Sequence, residues 1–209
     1  METNQSLSRQ KVEITPDIFT VSEILSPQEC AEYIALSESI GYTAAPITTS
    51  RGFEMRPDIR NNDRVILDDP ERSTFLWNRI APHVPANIEG RDAIGINERL
   101  RFYRYDPGQQ FAPHYDGSYR RPNGEESQLT FMIYLNEGFL GGETRFDLRY
   151  PYFDITVVPK TGMALCFVHH LRHEGAPVIN GRKYVLRSDV MYSKVEIVYR
   201  KEGDLTRDC

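Results

Sequence analysis

Long apolar runs are missing from these 209 residues: no stretch of 18 or more apolar residues occurs, so nothing reads as a membrane-spanning helix. The opening METNQSLSRQKVEITPD lacks the charged-then-apolar profile of a secretory signal, and the expectation is a soluble, cytoplasmic protein without a membrane partner. Cysteine is scarce. Cys30, Cys166 and Cys209 are widely scattered with no CxxC pair, which excludes a disulfide scaffold and predicts three free thiols in a reducing compartment. An excess of basic charge is also absent: 25 Lys and Arg against 30 Asp and Glu leave a net charge of −5, so no nucleic-acid partner is expected. There is no internal repeat and no low-complexity segment. The 40% hydrophobic content suffices for one substantial core, and a single domain over residues 1–209 is expected.

Helical signals fall in the first third. SPQECAEYIALSESIG offers Ser26 as N-cap, Pro27 at the first helical position, Glu29 three residues after the cap and Gly41 as the stop. DPERSTFLWNRIAPHVP repeats the arrangement with Asp69 before Pro70, and Pro82 and Pro85 at the far end. From about residue 97 the pattern turns to short alternating runs divided by Gly, Pro and Asn: ERLRFYRYD, SQLTFMIYLN, GETRFDL, YFDITVVP, MALCFV, HEGAPVI, KYVLRSDVMY and KVEIVYR. The expected fold is mainly β, a barrel or sandwich with flanking helices, with helical support at about 15–96 and the barrel at about 97–200.

The strand faces carry further information. Leu100 and Phe102 oppose Arg101, Tyr103 and Tyr105, and Leu129, Phe131, Ile133 and Leu135 oppose Thr130, Met132, Tyr134 and Asn136. A solvent-facing side is the ordinary explanation for the polar faces, but such sides usually carry Lys, Glu and Thr rather than repeated tyrosines. A cavity lining is therefore expected.

In APHYDG, His114 and Asp116 are two apart, so an extended backbone turns both to one face. That pair alone is weak, and a third ligand has to come from a distance. The other histidines are His83, at a helix end, and His169, His170 and His173 in FVHHLRHEG. Two histidines and a carboxylate on one side of an ion leave positions open for substrate and oxygen, the arrangement of non-haem Fe(II) oxygenases.

The run YDPGQQFAPHYDGSY, QLTFMIYLNEGFLGGETRF, VVPKTGMALCFVHHLRHEGAPVINGRKYVLRSDVMY resembles the prolyl 4-hydroxylase-like branch of the Fe(II)- and 2-oxoglutarate-dependent oxygenases, over roughly residues 15–195. The resemblance implies a double-stranded β-helix, a jelly-roll barrel with supporting helices. It implies His114, Asp116 and His173 as iron ligands, His173 lying 59 positions after His114, with His170 and His169 as rivals for the third place. It also implies Lys183, ten positions after His173, as the cation for the far carboxylate of 2-oxoglutarate, with Tyr105 and Tyr134 beside it. Arg187, four residues beyond Lys183 on the same face, is the alternative cation. Asn62, Arg64, Arg145 and Arg187 are substrate-binding candidates.

The activity so implied is a dioxygenase that hydroxylates a C–H bond, with Fe(II), 2-oxoglutarate and O2, and ascorbate as an accessory reductant. The substrate is a prolyl or other side chain in a peptide or protein, a free amino acid or another small molecule. Two further classes compete: a metal-binding barrel without catalysis, acting as a sensor, and a zinc hydrolase. Lys183 argues against both, since neither needs a lysine at that position.

Overall fold

The computed structural model describes residues 8–49, 51–148 and 153–195. The chain begins with β1 (Lys11–Thr15), β2 (Ile18–Val21), α1 (Pro27–Ile40), β3 (Thr43–Ala44), β4 (Ile47–Thr49), β5 (Gly52–Glu54), β6 (Asp63–Asp68) and α2 (Pro70–Ile80). It continues through β7 (Asn87–Ile88), β8 (Arg91–Ile96), β9 (Arg99–Tyr105), β10 (Phe111–His114), β11 (Glu126–Tyr134), β12 (Leu140–Gly141) and β13 (Thr144–Phe146). Last come β14 (Ile155–Val157), β15 (Ala164–Val168), β16 (His173–Gly175), β17 (Val178–Asn180) and β18 (Lys183–Tyr192).

Both helices begin as their sequences dictate. The Ser26 side chain accepts from the Glu29 amide while the Glu29 carboxylate accepts from the Ser26 amide, and Gly41 ends α1 at φ 93°. Asp69 caps α2 by accepting from the Arg72 amide. Arg79 of α2 reaches Glu29 through two bonds of 2.7 Å and the Ile24 carbonyl at 2.8 Å, locking the helices together.

The major sheet is antiparallel, in the order β1-β2-β15-β11-β18-β9-β6-β3, with β8 pairing the far end of β18. A smaller sheet, β10-β16-β13-β14, faces it. Period-two alternation sorts the side chains into two cores. Leu100, Phe102, Phe131, Ile133 and Leu186 pack on the helix side with Leu76, Ile80 and Tyr33. Tyr103, Tyr105, Tyr134, Val185 and Phe167 turn the other way, into the space between the sheets, where Phe146 of the small sheet meets Phe167 edge-on with ring centres 5.0 Å apart. The tyrosine faces therefore line the barrel interior.

Two glycines serve this closure. Gly162, at φ +77°, places its carbonyl to accept from the amides of Ile24 and Leu25, and a Cβ there would collide with the Leu25 carbonyl. Gly141, at φ +79°, lies equally tight against Pro177, turning the chain so that the Gly142 carbonyl faces inward.

Three expectations need correction. Residues 15–96 do not merely support the barrel with helices, because β2 and β6 hydrogen-bond directly into the major sheet. HEGAPVI is two strands, β16 and β17, since Pro177 has no amide to continue the ladder. Lys194 and Val195 are not in a strand, and the rest of KVEIVYR lies outside the described residues, as does Cys209. Among the described residues no helix is long and apolar enough to cross a membrane.

Cys30 and Cys166 are free and buried in the helix-side core; burial pushes the Cys30 thiol up to about 12 and raises Cys166 as well. Iodoacetamide is expected to label neither in the folded protein and both after denaturation, as read by peptide mass spectrometry.

Candidate metal centre

His114 closes β10 and His173 opens β16, and the antiparallel register sets the two directly opposite, with ring centres 4.3 Å apart. Asp116 follows two residues after His114, its amide donating to the His169 carbonyl at 3.2 Å. One ligand atom from each of the three residues lies within 4.8 Å of the others.

The hydrogen bonds fix which atoms face inward. Nδ1 of His114 donates to the Ala112 carbonyl at 2.8 Å, and Nδ1 of His173 donates to the Leu171 carbonyl at 3.0 Å. Each neutral imidazole is thereby left with a lone pair on Nε2. Those lone pairs point at the carboxylate, His114 Nε2 being 3.6 Å from Asp116 Oδ1 and His173 Nε2 3.5 Å from Asp116 Oδ2. Three acceptors converging without a donor between them suit a cation, and two imidazoles with one carboxylate suit divalent iron.

Behind the carboxylate stand Thr130, whose hydroxyl donates to Asp116 Oδ2 at 2.6 Å, and Arg187, whose guanidinium lies 3.0 Å from Oδ1. Burial would raise the Asp116 carboxyl, but the Arg187 guanidinium beside it holds the group well below the usual carboxylate range. Burial pulls His173 down from 6.5 to about 4, so it is neutral at pH 7 and binds metal without first losing a proton.

That depressed value has a consequence for stability. The unfolded chain takes up a proton near pH 6.5 while the folded one resists until about pH 4, so the His173 contribution is complete above 6.5 and is lost as pH falls towards 4. Metal-free protein is expected to lose thermal stability across that window, and His173→Asn to flatten the slope, as read by Tm against pH.

The rival histidines are placed elsewhere. His169 is buried with both ring nitrogens engaged, by Ser127 at 2.9 Å and Thr130 at 3.0 Å, so it braces the residue that holds Asp116. His170 is exposed.

A pocket runs from the triad to Lys183, between walls that include Phe111, Met132, Phe167 and Val185. Lys183 is in register with Tyr105, its ammonium lies 5.1 Å from that ring and 5.6 Å from Tyr134, and it donates to the Gly142 carbonyl at 2.6 Å. Burial draws its pKa down to about 7 against the opposing pull of Glu143. Burial pushes the Tyr105 phenol up to about 12, so it stays a neutral donor. The Tyr134 hydroxyl and Thr144 share a bond of 2.7 Å. The pocket thus ends in one cation and a pair of hydroxyls, a fit for the free end of a dicarboxylic acid chelated at the triad.

The four substrate candidates separate. Arg64 lines a second, wider cleft of about 580 Å³, which shares His114, Asp116 and Arg187 with the first. Asn62 does not reach either: it is fully buried, its oxygen accepting from Arg60 Nε at 2.7 Å and its amide donating to the Asp63 carbonyl at 2.7 Å, so it holds Arg60 instead of a substrate. Arg145 is half-exposed, 3.2 Å from Glu143 and 3.6 Å from Glu174, beside a separate groove. Sequence reasoning passed over Arg60 and Asp189. Asp189 lies two residues from Arg187 on one strand, a signal available in the sequence; Arg60 stands outside any strand and gave none.

Residues 100–188 match the 2OG-Fe(II) oxygenase superfamily. Among curated proteins, Prolyl 4-hydroxylase 1 of Arabidopsis thaliana is 26% identical over 137 residues, covering 64% of this chain and 48% of its own length. Probable prolyl 4-hydroxylase 3 of the same plant is 25% identical over 201 residues, covering 81% and 67%. The chain thus spans about half the length of the first relative and two thirds of the second. Among solved structures, the viral collagen prolyl hydroxylase of Paramecium Bursaria Chlorella virus-1, in complex with 2-oxoglutarate, superposes with a TM-score of 0.55 at 21% identity, over 83% of this chain and 95% of that one. A Pseudomonas putida prolyl-4-hydroxylase gives 0.59 at 18%, over 83% and 91%. These structures share the double-stranded β-helix seen here. The matched region thus holds the His-x-Asp and the distant histidine that the barrel brings face to face, and the chain is similar there to the 2OG-Fe(II) oxygenase superfamily and, over much of its length, to prolyl 4-hydroxylases.

Proposed function

We propose that the protein is a 2-oxoglutarate-dependent dioxygenase that hydroxylates a C–H bond of an amino-acid-derived substrate, with His114, Asp116 and His173 as its iron ligands. The observation that carries the reading is the convergence of three metal-competent acceptors at the mouth of a pocket that ends in a buried lysine. The names of the relatives support a prolyl or related side chain in a peptide.

Bound Fe(II), with 2-oxoglutarate and O2, supplies the oxidising power for an unactivated C–H bond. The chain supplies placement. His114, Asp116 and His173 would hold the ion, and the pocket that runs from them to Lys183 would receive the co-substrate. Lys183 would pair with the far carboxylate, and Tyr105 and Thr144 would offer it hydroxyls, with Tyr134 holding Thr144 in place from behind. Thr130 and Arg187 hold the Asp116 carboxylate in place beside the two imidazoles, where it would join them in binding the ion. Phe111, Met132, Phe167 and Val185 keep the channel apolar and exclude water. No side chain has to act as general base, which sets this reading apart from a zinc hydrolase, and a sensor barrel has no use for a lysine buried against a carbonyl.

Reconstitution tests it. Purified protein given Fe(II) and 2-oxoglutarate in air is expected to release succinate slowly alone and faster with a substrate. Succinate formation that is indifferent to Fe(II), or none under any condition, would contradict the reading.

A further inference from the structure

The wider cleft, lined in part by His114 and Asp116, is an arginine basin. β6, β9 and β18 are adjacent strands, and their register aligns Arg64 with Tyr103, and Arg101 with Arg187. Arg60, from the loop before β6, joins them along the cleft wall. Four guanidiniums thus line a space whose carboxylates are Asp116 and Asp189. Both carboxylates are taken. Asp189 lies 3.1 Å from Arg101 and 3.6 Å from Arg187, and Asp116 faces Arg187 and the histidines.

Arg60 and Arg64 are left without an anion among the described residues. Arg60 is only 5% exposed, and its guanidinium is clamped between the rings of Tyr103 and Phe111 at 4.5 and 4.4 Å. Its Nε donates to Asn62, while its buried Nη2 has no partner. Burying a guanidinium nitrogen unpaired is unfavourable unless something in the cleft accepts from it. Arg64 is half-buried and rests 5.7 Å from the Phe53 ring; after burial itself, the charges that lower its pKa are the like charges of Arg60, Arg101 and Arg99. Tyr103 reports the same field: burial would raise its phenol, yet Arg60, Arg187 and Arg101 pull it below the usual range.

We propose that the primary substrate carries a carboxylate, received by Arg60 and Arg64, which holds the reacting C–H bond over the metal centre. This rests on the dioxygenase reading, and names the class of substrate that reading left open. A guanidinium fork matches a carboxylate in two parallel bonds, and the aromatic clamp holds the Arg60 fork rigid before the substrate arrives. The 2-oxoglutarate carboxylate does not account for the basin, because Lys183 serves it at the end of the other pocket. Amino-acid substrates present a carboxylate in two ways, as the free α-carboxylate or as an acidic side chain within a peptide. The chemistry at the arginines is the same.

The test uses protein saturated with Mn(II) and 2-oxoglutarate, which fills the first pocket without turnover. Binding is measured by calorimetry for the common free L-amino acids against their C-terminal amides, and for blocked Pro-Asp against blocked Pro-Asn dipeptides. A free acid that binds roughly tenfold or more tightly than its amide supports the proposal and assigns an α-carboxylate; the same preference for Pro-Asp over Pro-Asn supports it and assigns a side chain. Arg60→Gln and Arg64→Gln are each expected to remove that preference, and Arg60→Lys, which keeps the charge without the fork, to retain part of it. Equal binding of acid and amide partners, no binding by either set, or a preference unchanged in Arg60→Gln and Arg64→Gln would overturn the proposal. The reaction class is scored apart, by iron-dependent succinate release, so the two can fail independently.

Discussion

Asp116→Asn is expected to abolish Fe(II)-dependent succinate formation and to weaken metal binding by about 100-fold or more, beyond the 10–100-fold typical of losing only a supporting hydrogen bond. The asparagine keeps the shape and can still accept from Thr130, so the loss reports the missing charge. Two effects combine. The ion loses its anionic ligand, and Arg187 loses the carboxylate 3.0 Å away that balances it. Removing one partner of a buried pair costs roughly 3–5 kcal/mol when nothing replaces it. Here Asp189, 3.6 Å from the same guanidinium, offsets part of that cost, so the protein is expected to remain folded with a lower Tm. Thr130→Val sets the scale: it removes the 2.6 Å bond and leaves the charge, and a 10–100-fold loss of Mn(II) affinity is expected by equilibrium dialysis. Equal Mn(II) affinity in Asp116→Asn and the parent protein would remove Asp116 from the ligand set.

Lys183→Met is expected to do two opposite things. In the absence of 2-oxoglutarate the lysine is a liability, a 2% exposed ammonium held by one carbonyl and drawn from 10.5 to about 7 by burial. The folded state holds that proton less tightly than the unfolded chain, so the penalty is full below pH 7 and is released as pH rises from 7 to 10.5. A shift of that size corresponds to something on the order of 5 kcal/mol, and methionine, similar in length and apolar, removes it. The variant is therefore expected to melt several degrees higher than the parent at pH 7. Its affinity for 2-oxoglutarate is expected to fall tenfold or more, because a carboxylate desolvated without its cation loses roughly 2–5 kcal/mol. Arg187→Met should instead weaken metal binding, given its contact with Asp116. A larger 2-oxoglutarate defect in Arg187→Met than in Lys183→Met would exchange the two roles. Stability bought at the expense of ligand binding is the usual mark of a functional residue.

How much of this was legible in the sequence depended on how many residues carried each signal. Both helices announced themselves through Ser26, Glu29, Asp69 and Pro70, because a cap is a local hydrogen bond between residues close in sequence. The long strands β9, β11 and β18 showed enough alternation to separate their two faces, and the tyrosine face did prove to be the barrel interior. Strands of two to five residues such as β1 to β5 and β7 offer too few alternations for a period to emerge; they exist because a neighbouring strand supplies the ladder. Within the candidate site, the i, i+2 spacing put His114 and Asp116 together, but bringing His173 opposite His114 is a matter of sheet register that residue patterns alone do not encode. Asn62 was misplaced among the substrate candidates, and Arg60 passed over, for the same reason. In RPDIRNNDR the polar residues look alike, and only the packing decides that Asn62 turns inward to hold Arg60 while Arg60 faces the cleft.

The most direct test of the central claim is an anaerobic titration of the protein with Fe(II) and then 2-oxoglutarate, followed by visible absorption. Chelation of the keto acid to iron held by His114, Asp116 and His173 predicts a weak charge-transfer band that grows to saturation at one equivalent, is absent in His173→Ala and persists in His170→Ala. A band that survives in His173→Ala and vanishes in His170→Ala, or no band in the parent protein with both components present, would contradict the account.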